Sequence, residues 1–150
     1  MKMLSSSAAS IVTTTMVLAV TAAGCGSTPT PTVPAPLPDS VSSITDMSPA
    51  LGTTLAPGQT VIFTGTAGYT LNSAGTGILV MVIQDQADQA LQAPGTQPNA
   101  QVVRGSGQAT LSQTIMLPGT GITSVRLFFL LAPMGSTSTT SVATVSYPVK

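Results

Sequence analysis

The chain has 150 residues, four basic and four acidic side chains, no net charge and no histidine. Lys2, Arg104, Arg126 and Lys150 are too few and too scattered for an electrostatic footprint on nucleic acid, which excludes that class of partner. Without histidine there is no Ser–His–Asp relay and no imidazole metal site, while 43% hydrophobic residues supply the core of one domain.

The first element reads as an address. Lys2 gives a single positive start, Ser5–Ser10 follow, and an apolar stretch runs from Ile11 to Ala23 with Thr13, Thr14 and Thr15 inside it. A spanning helix needs about 20 predominantly apolar residues. This run is shorter, rich in hydroxyls and closed by small residues, the form of a secretory signal. It ends in Thr21-Ala22-Ala23-Gly24-Cys25, which holds the only cysteine. A lone cysteine has no partner for an intramolecular disulfide.

That segment resembles the lipid-attachment signal of bacterial lipoproteins. Ala22 stands where that family prefers a branched apolar residue. The resemblance implies that residues 1–24 are a signal peptide cleaved after Gly24, and that Cys25 carries a diacylglyceryl thioether, often with an acylated amine. Gly26, not Asp, follows Cys25, which for such proteins implies an outer-membrane destination in the cell envelope. Each buried methylene contributes about 0.8 kcal/mol, so one acyl chain holds weakly and two or more hold stably. The membrane, reached through Cys25, is the expected partner.

From Gly26 to Pro38 the chain reads GSTPTPTVPAPLP, with prolines at 29, 31, 34, 36 and 38. Proline at this density removes amide donors and favours polyproline II at about 3.1 Å per residue. Residues 25–39 are therefore expected as a linker able to hold a domain up to roughly 40 Å from a lipid surface. A ligand for an aromatic-lined groove and a glycosylated stalk are the other uses of such a composition.

Residues 40–150 carry strand signals, with β-branched residues in the strands and Gly and Pro in the turns. Val41–Met47 reads as a first strand, followed by the turn Ala56-Pro57-Gly58-Gln59. Val61, Phe63, Ala67, Tyr69 and Leu71 then share one parity, with Thr60, Thr64, Thr66 and Thr70 on the other. Such alternation marks a strand with one buried and one wet face, in which Gly65 and Gly68 suggest a bulge. After a turn expected at Asn72–Gly77, Ile78–Ile83 is apolar on both parities and reads as a central strand. Residues 85–100 form a polar excursion suited to a short helix or an edge strand. Gln101–Arg104 reads as a short strand before a turn at Gly105-Ser106-Gly107. Gln108–Leu117, Ile122–Leu131 and Ser141–Val149 follow as strands, with Phe129 on the inward parity of the second.

About seven half-apolar strands at these spacings predict an all-β domain, a two-sheet antiparallel β-sandwich. The Pro57-Gly58 turn before a long patterned strand with Tyr69, and the closing Val145-Ser146-Tyr147-Pro148-Val149, resemble the immunoglobulin-like or fibronectin-III-like modules of bacterial lipoproteins. The chain departs from antibody domains in lacking their buried tryptophan and paired cysteines. Folds of this kind carry no single activity.

Little here carries chemistry. Glycoside hydrolysis needs a facing pair of acids, and the only acids are Asp39, Asp46, Asp85 and Asp88. Asp85 and Asp88, with Asp46, could in principle supply oxygens to a calcium ion, although aspartates at strand ends ordinarily cap turns. No metal site, no cofactor and no enzymatic activity are expected. The feature that calls for a function is apolar excess. If Ile78–Ile83 and Ile122–Leu131 are neighbours, their sheet has two apolar faces, and Leu79, Met81, Phe128 and Leu130 are expected on the outward one. That face would bind a protein partner or a second copy, or touch the membrane directly, unless Leu91, Val102 and Val103 fold across and cover it. The chain is thus expected to be an envelope lipoprotein presenting a non-catalytic binding module. The alternative is an accessory subunit of a secretion or adhesion assembly.

Overall fold

The computed structural model describes Ala35, residues 37–136 and residues 141–150. The expected signal peptide, Cys25 and most of the Pro-rich linker lie outside these residues. Every regular element described is a strand: β1 (Ser40–Ser48), β2 (Thr60–Asp85), β3 (Asn99–Met116), β4 (Ser124–Pro133) and β5 (Ser141–Pro148). They form one curled antiparallel sheet in the order β1-β2-β4-β5, with β3 on the remaining side of β2.

The expected seven strands are five because two expected turns are not turns. β2 runs for 26 residues through Asn72–Gly77, and β3 runs for 18 through Gly105-Ser106-Gly107. At that level Leu71 pairs with Gly105 and Thr76 with Val103, so several β2 residues oppose a two-residue step of β3. The irregularity is a bulge, which bends a strand without ending it. Gly105 takes up the bend on the partner at φ 107, where a side chain is strained. The irregularity foreseen at Gly65 and Gly68 falls on one side of β2 only: the β2–β3 ladder runs there without a shift, while β1 breaks register against β2 at Gly68 and across Gly65.

Below the bulge β2 lies between β1 and β3; above it, β2 lies between β3 and β4. Curling turns one face of both halves inward. The inward parity holds Val61, Phe63, Tyr69 and Leu71 from the first half of β2, and Leu79, Met81 and Ile83 from the second. β4 adds Val125, Leu127, Phe129 and Leu131, all fully buried. Phe63 meets Tyr147 of β5 with ring centroids 5.7 Å apart at 52°. On one side the curl is fastened by its backbone: Leu55 N–H donates to the Pro148 carbonyl at 2.9 Å, and Lys150 N–H donates to that of Leu55 at 3.0 Å.

The Tyr147 hydroxyl, on a buried ring, donates to the Pro49 carbonyl at 2.6 Å. Burial pushes its pKa above the ordinary 10.0. Because the folded value is raised, the protonated phenol's contribution is complete below about pH 10 and is lost as pH climbs through the folded value. Tyr147→Phe is expected to cost about 1 kcal/mol at neutral pH and to abolish that alkaline loss. Urea midpoints between pH 8 and 11 that fall in parallel for both proteins would contradict this.

The polar excursion forms neither a helix nor a regular strand. It returns along the free edge of β2: Leu91 N–H donates to the Ile83 carbonyl at 2.9 Å, and Met81 N–H to that of Pro98 at 3.0 Å. Between them the Gln92 side chain substitutes for backbone, accepting from Ile83 N–H at 2.9 Å and donating to the Met81 carbonyl at 3.2 Å. Asp39, placed at the end of the linker by sequence, is buried and accepts from the amides of Asn72 at 2.6 Å and Ser73 at 2.9 Å, and from the Ser73 hydroxyl. The start of the domain is thereby fastened to the bulge of β2.

Candidate functional site: the outer face of β2, β4 and β5

Register decides which apolar residues face outward. Met81 pairs with Phe129 and Leu79 with Leu131, and all four are fully buried in the core. Val82 pairs with Phe128 and Val80 with Leu130 on the opposite face, where all four are partly exposed. The expected set Leu79, Met81, Phe128 and Leu130 is therefore split between two faces. Leu79 and Met81 belong to the core; Val80 and Val82 take their places outside. Both parities of Ile78–Ile83 are apolar, so sequence could not say which one turns inward.

The outer face continues through Ile78 and Ala132 on one side, and through Leu130 to Val142 of β5, which is 51% exposed. The covering arrangement expected of Leu91, Val102 and Val103 is not the one adopted. Val102 is a buried core residue and Leu91 packs against that core, while Val103 is 62% exposed. The excursion follows the edge of β2 because its N–H and C=O groups complete a ladder there, and a segment laid across the face could not do this.

At one end the apolar patch is closed by charge. The Arg126 guanidinium lies over the Phe128 ring, 5.7 Å from its centroid. It donates to the Asp85 carbonyl at 2.8 Å and pairs with Asp88 at 2.7 Å. Asp88 is largely exposed, so the ion pair contributes little to stability and mainly holds the arginine in place. The Asp85 carboxylate accepts from the amides of Ala87 and Gln89 at 2.8 and 2.9 Å, capping its turn. Asp46 lies on β1 and accepts from the Thr45 hydroxyl at 3.1 Å. No three acidic, histidine or cysteine side chains gather into a metal-binding group among the described residues, so the calcium arrangement is not assembled.

A depression of about 330 Å³ lies between the bulge and the end of β4, lined by Ser73, Ala74, Pro133, Met134, Gly135 and Ser136. Its walls carry no ionisable side chain. On the outer face of the other half, hydroxyls pair across β2 and β3: Thr64 with Ser112 at 2.8 Å, Thr66 with Thr110 at 2.9 Å and Thr70 with Ser106 at 3.0 Å. No helix among the described residues is long and apolar enough to cross a membrane.

These features define an all-β module whose most distinctive surface is an apolar sheet face. No family profile and no curated protein matches the chain. Among solved structures it is similar to part of a candidate beta-galactosidase from Bacteroides fragilis, at 9% identity and a TM-score of 0.49 over 72% of this chain. It is also similar to part of a beta-glucosidase from Listeria innocua, solved with gluconolactone, at 14% identity and a TM-score of 0.39 over 71% of this chain. The chain spans 17% and 16% of the length of those proteins.

Proposed function

We propose that the chain is a lipoprotein of the cell envelope, moored through acylated Cys25 and a Pro/Thr-rich linker, that presents a non-catalytic binding module. The domain is read as an immunoglobulin-like sandwich formed by the curl, with the halves of β2 in opposite layers. Contact between Phe63 and Tyr147, on β2 and β5, supports two layers. The observation that carries the binding role is the partly exposed face of Val80, Val82, Phe128 and Leu130, rimmed by Arg126. Contiguous apolar surface of this kind marks sites of protein contact. Such a face would also serve an accessory subunit of a secretion or adhesion assembly.

Palmitate labelling tests the anchor: wild type is expected to incorporate label and fractionate with membranes, and Cys25→Ala to do neither. Phe128→Ser tests the face. Stability is expected to change by less than about 1 kcal/mol, as for a partly exposed site, while recovery of co-purifying envelope proteins falls. A variant that unfolds with partners still bound would turn Phe128 into a structural residue.

A further inference from the structure

The margins of the sheet are protected unequally. β1 is nine residues long, breaks register against β2 at Val41/Ser43 and at Thr45/Ser48, and places Asp46 at φ 52. β5 has eight residues, ends at Pro148, and continues into the bridge between Val149 and Leu55. Short strands, bulges, proline and charge are the means by which sheets keep other chains from adding to their edges. β3 uses none of them between Ser106 and Met116. It pairs with β2 there without a shift, has no proline, and carries no charged residue. Its other row of N–H and C=O groups faces away from β2, and no strand pairs with that side among the described residues.

We infer that this edge receives the β3 strand of a second copy of the chain, antiparallel about a two-fold axis beside Leu111, which continues the sheet across two molecules. A two-fold axis sets a strand against itself, so any charge near the axis would meet its own sign. The only charge on β3 is Arg104, and with the axis at Leu111 it falls opposite Pro118, beyond the end of the strand. This register is the one that pairs the whole uncharged segment, Ser106 to Met116, with its counterpart. Thr110 then stands opposite the partner's Ser112, and Ser112 opposite the partner's Thr110. Thr110 and Ser112 are the side chains whose hydroxyls already meet Thr66 and Thr64 across the β2–β3 ladder, so the outer hydroxyl row continues over the junction. Even positions meet even positions, so Leu111 and Ile115 stay on the core side and the hydroxyl face stays outside. Backbone hydrogen bonds supply the affinity, as in other strand additions.

The dimer is independent of the lipid anchor and of the apolar face, so palmitate labelling and Phe128→Ser separate those from it. The full chain carrying Cys25→Ala is expected to sediment as a dimer at roughly 10–100 µM. Adding Thr110→Lys and Ser112→Lys sets four ammonium groups along the junction and is expected to raise the dissociation midpoint at least about tenfold. Thr45→Lys on β1 serves as the control and leaves it unchanged. In the same background Thr110→Cys with Ser112→Cys is expected to give a disulfide-linked dimer on mild oxidation, which carries the test should the lysine variant fail to fold. A monomer throughout, or association abolished by Phe128→Ser but not by the lysine pair, would overturn the edge-to-edge dimer.

Discussion

Phe129→Ala is expected to lower the stability of the domain by about 3–5 kcal/mol, the range for removing a buried phenylalanine from a core. That is a large share of the roughly 5–15 kcal/mol that holds a domain together. Phe129 is fully buried, and its ring occupies space that the neighbouring strand leaves open by having no side chain at Gly65. A Cβ there would stand 2.8 Å from the Phe129 ring and 2.6 Å from the Met47 sulfur. The sulfur ends a flexible chain and can move; the ring is held from all sides. Gly65→Ala is therefore expected to cost about 1–3 kcal/mol by overpacking, and less once Phe129 has been truncated. Denaturant midpoints for both single variants and the double variant give the coupling, expected at about 0.5–3 kcal/mol. Strict additivity would mean that ring and glycine do not share the space.

Gln92→Ala carries the second large effect. Its side chain bridges the excursion to the ladder groups of Ile83 N–H and Met81 C=O, and Gln92 is itself 95% removed from solvent. Each buried polar group left without a partner costs about 1–3 kcal/mol, giving about 2–4 kcal/mol in total when some water reaches the site. Gln92→Met separates hydrogen bonding from packing, because it fills the same space without either bond. Equal losses from alanine and methionine would assign the effect to the two bonds. Recovery by methionine would assign it to volume. Amide exchange at Ile83 is expected to accelerate in both variants.

The inward parity was legible wherever threonine or serine occupied the alternate positions. Val61, Phe63, Tyr69 and Leu71 share a parity against Thr60, Thr64, Thr66 and Thr70, and burial follows that parity, with Ile62 left on the outer one. In Ile78–Ile83 no polar residue marks the outside, so the face assigned to Leu79 and Met81 was the wrong one. Gln92 was invisible for a different reason. A glutamine in a polar stretch gives no local sign that it will stand in for a missing strand residue. Glycines 105 and 107 resembled a turn because local chemistry is the same for a bend inside a strand and for a reversal between two strands. Only the continued pairing of β2 with β3 distinguishes the two.

Sequence by itself determined that the domain is built from strands, which residues of the alternating segments turn inward, and that its surface is nearly without charge. Those properties follow from side-chain type and a period of two, both local. Tertiary structure alone decided that seven segments make five strands, that Val80 and Val82 rather than Leu79 and Met81 face outward, and that β3 is the margin left unpaired among the described residues. Each of these depends on register between strands distant in sequence, and a shift of one residue reverses every side chain on the strand that moves.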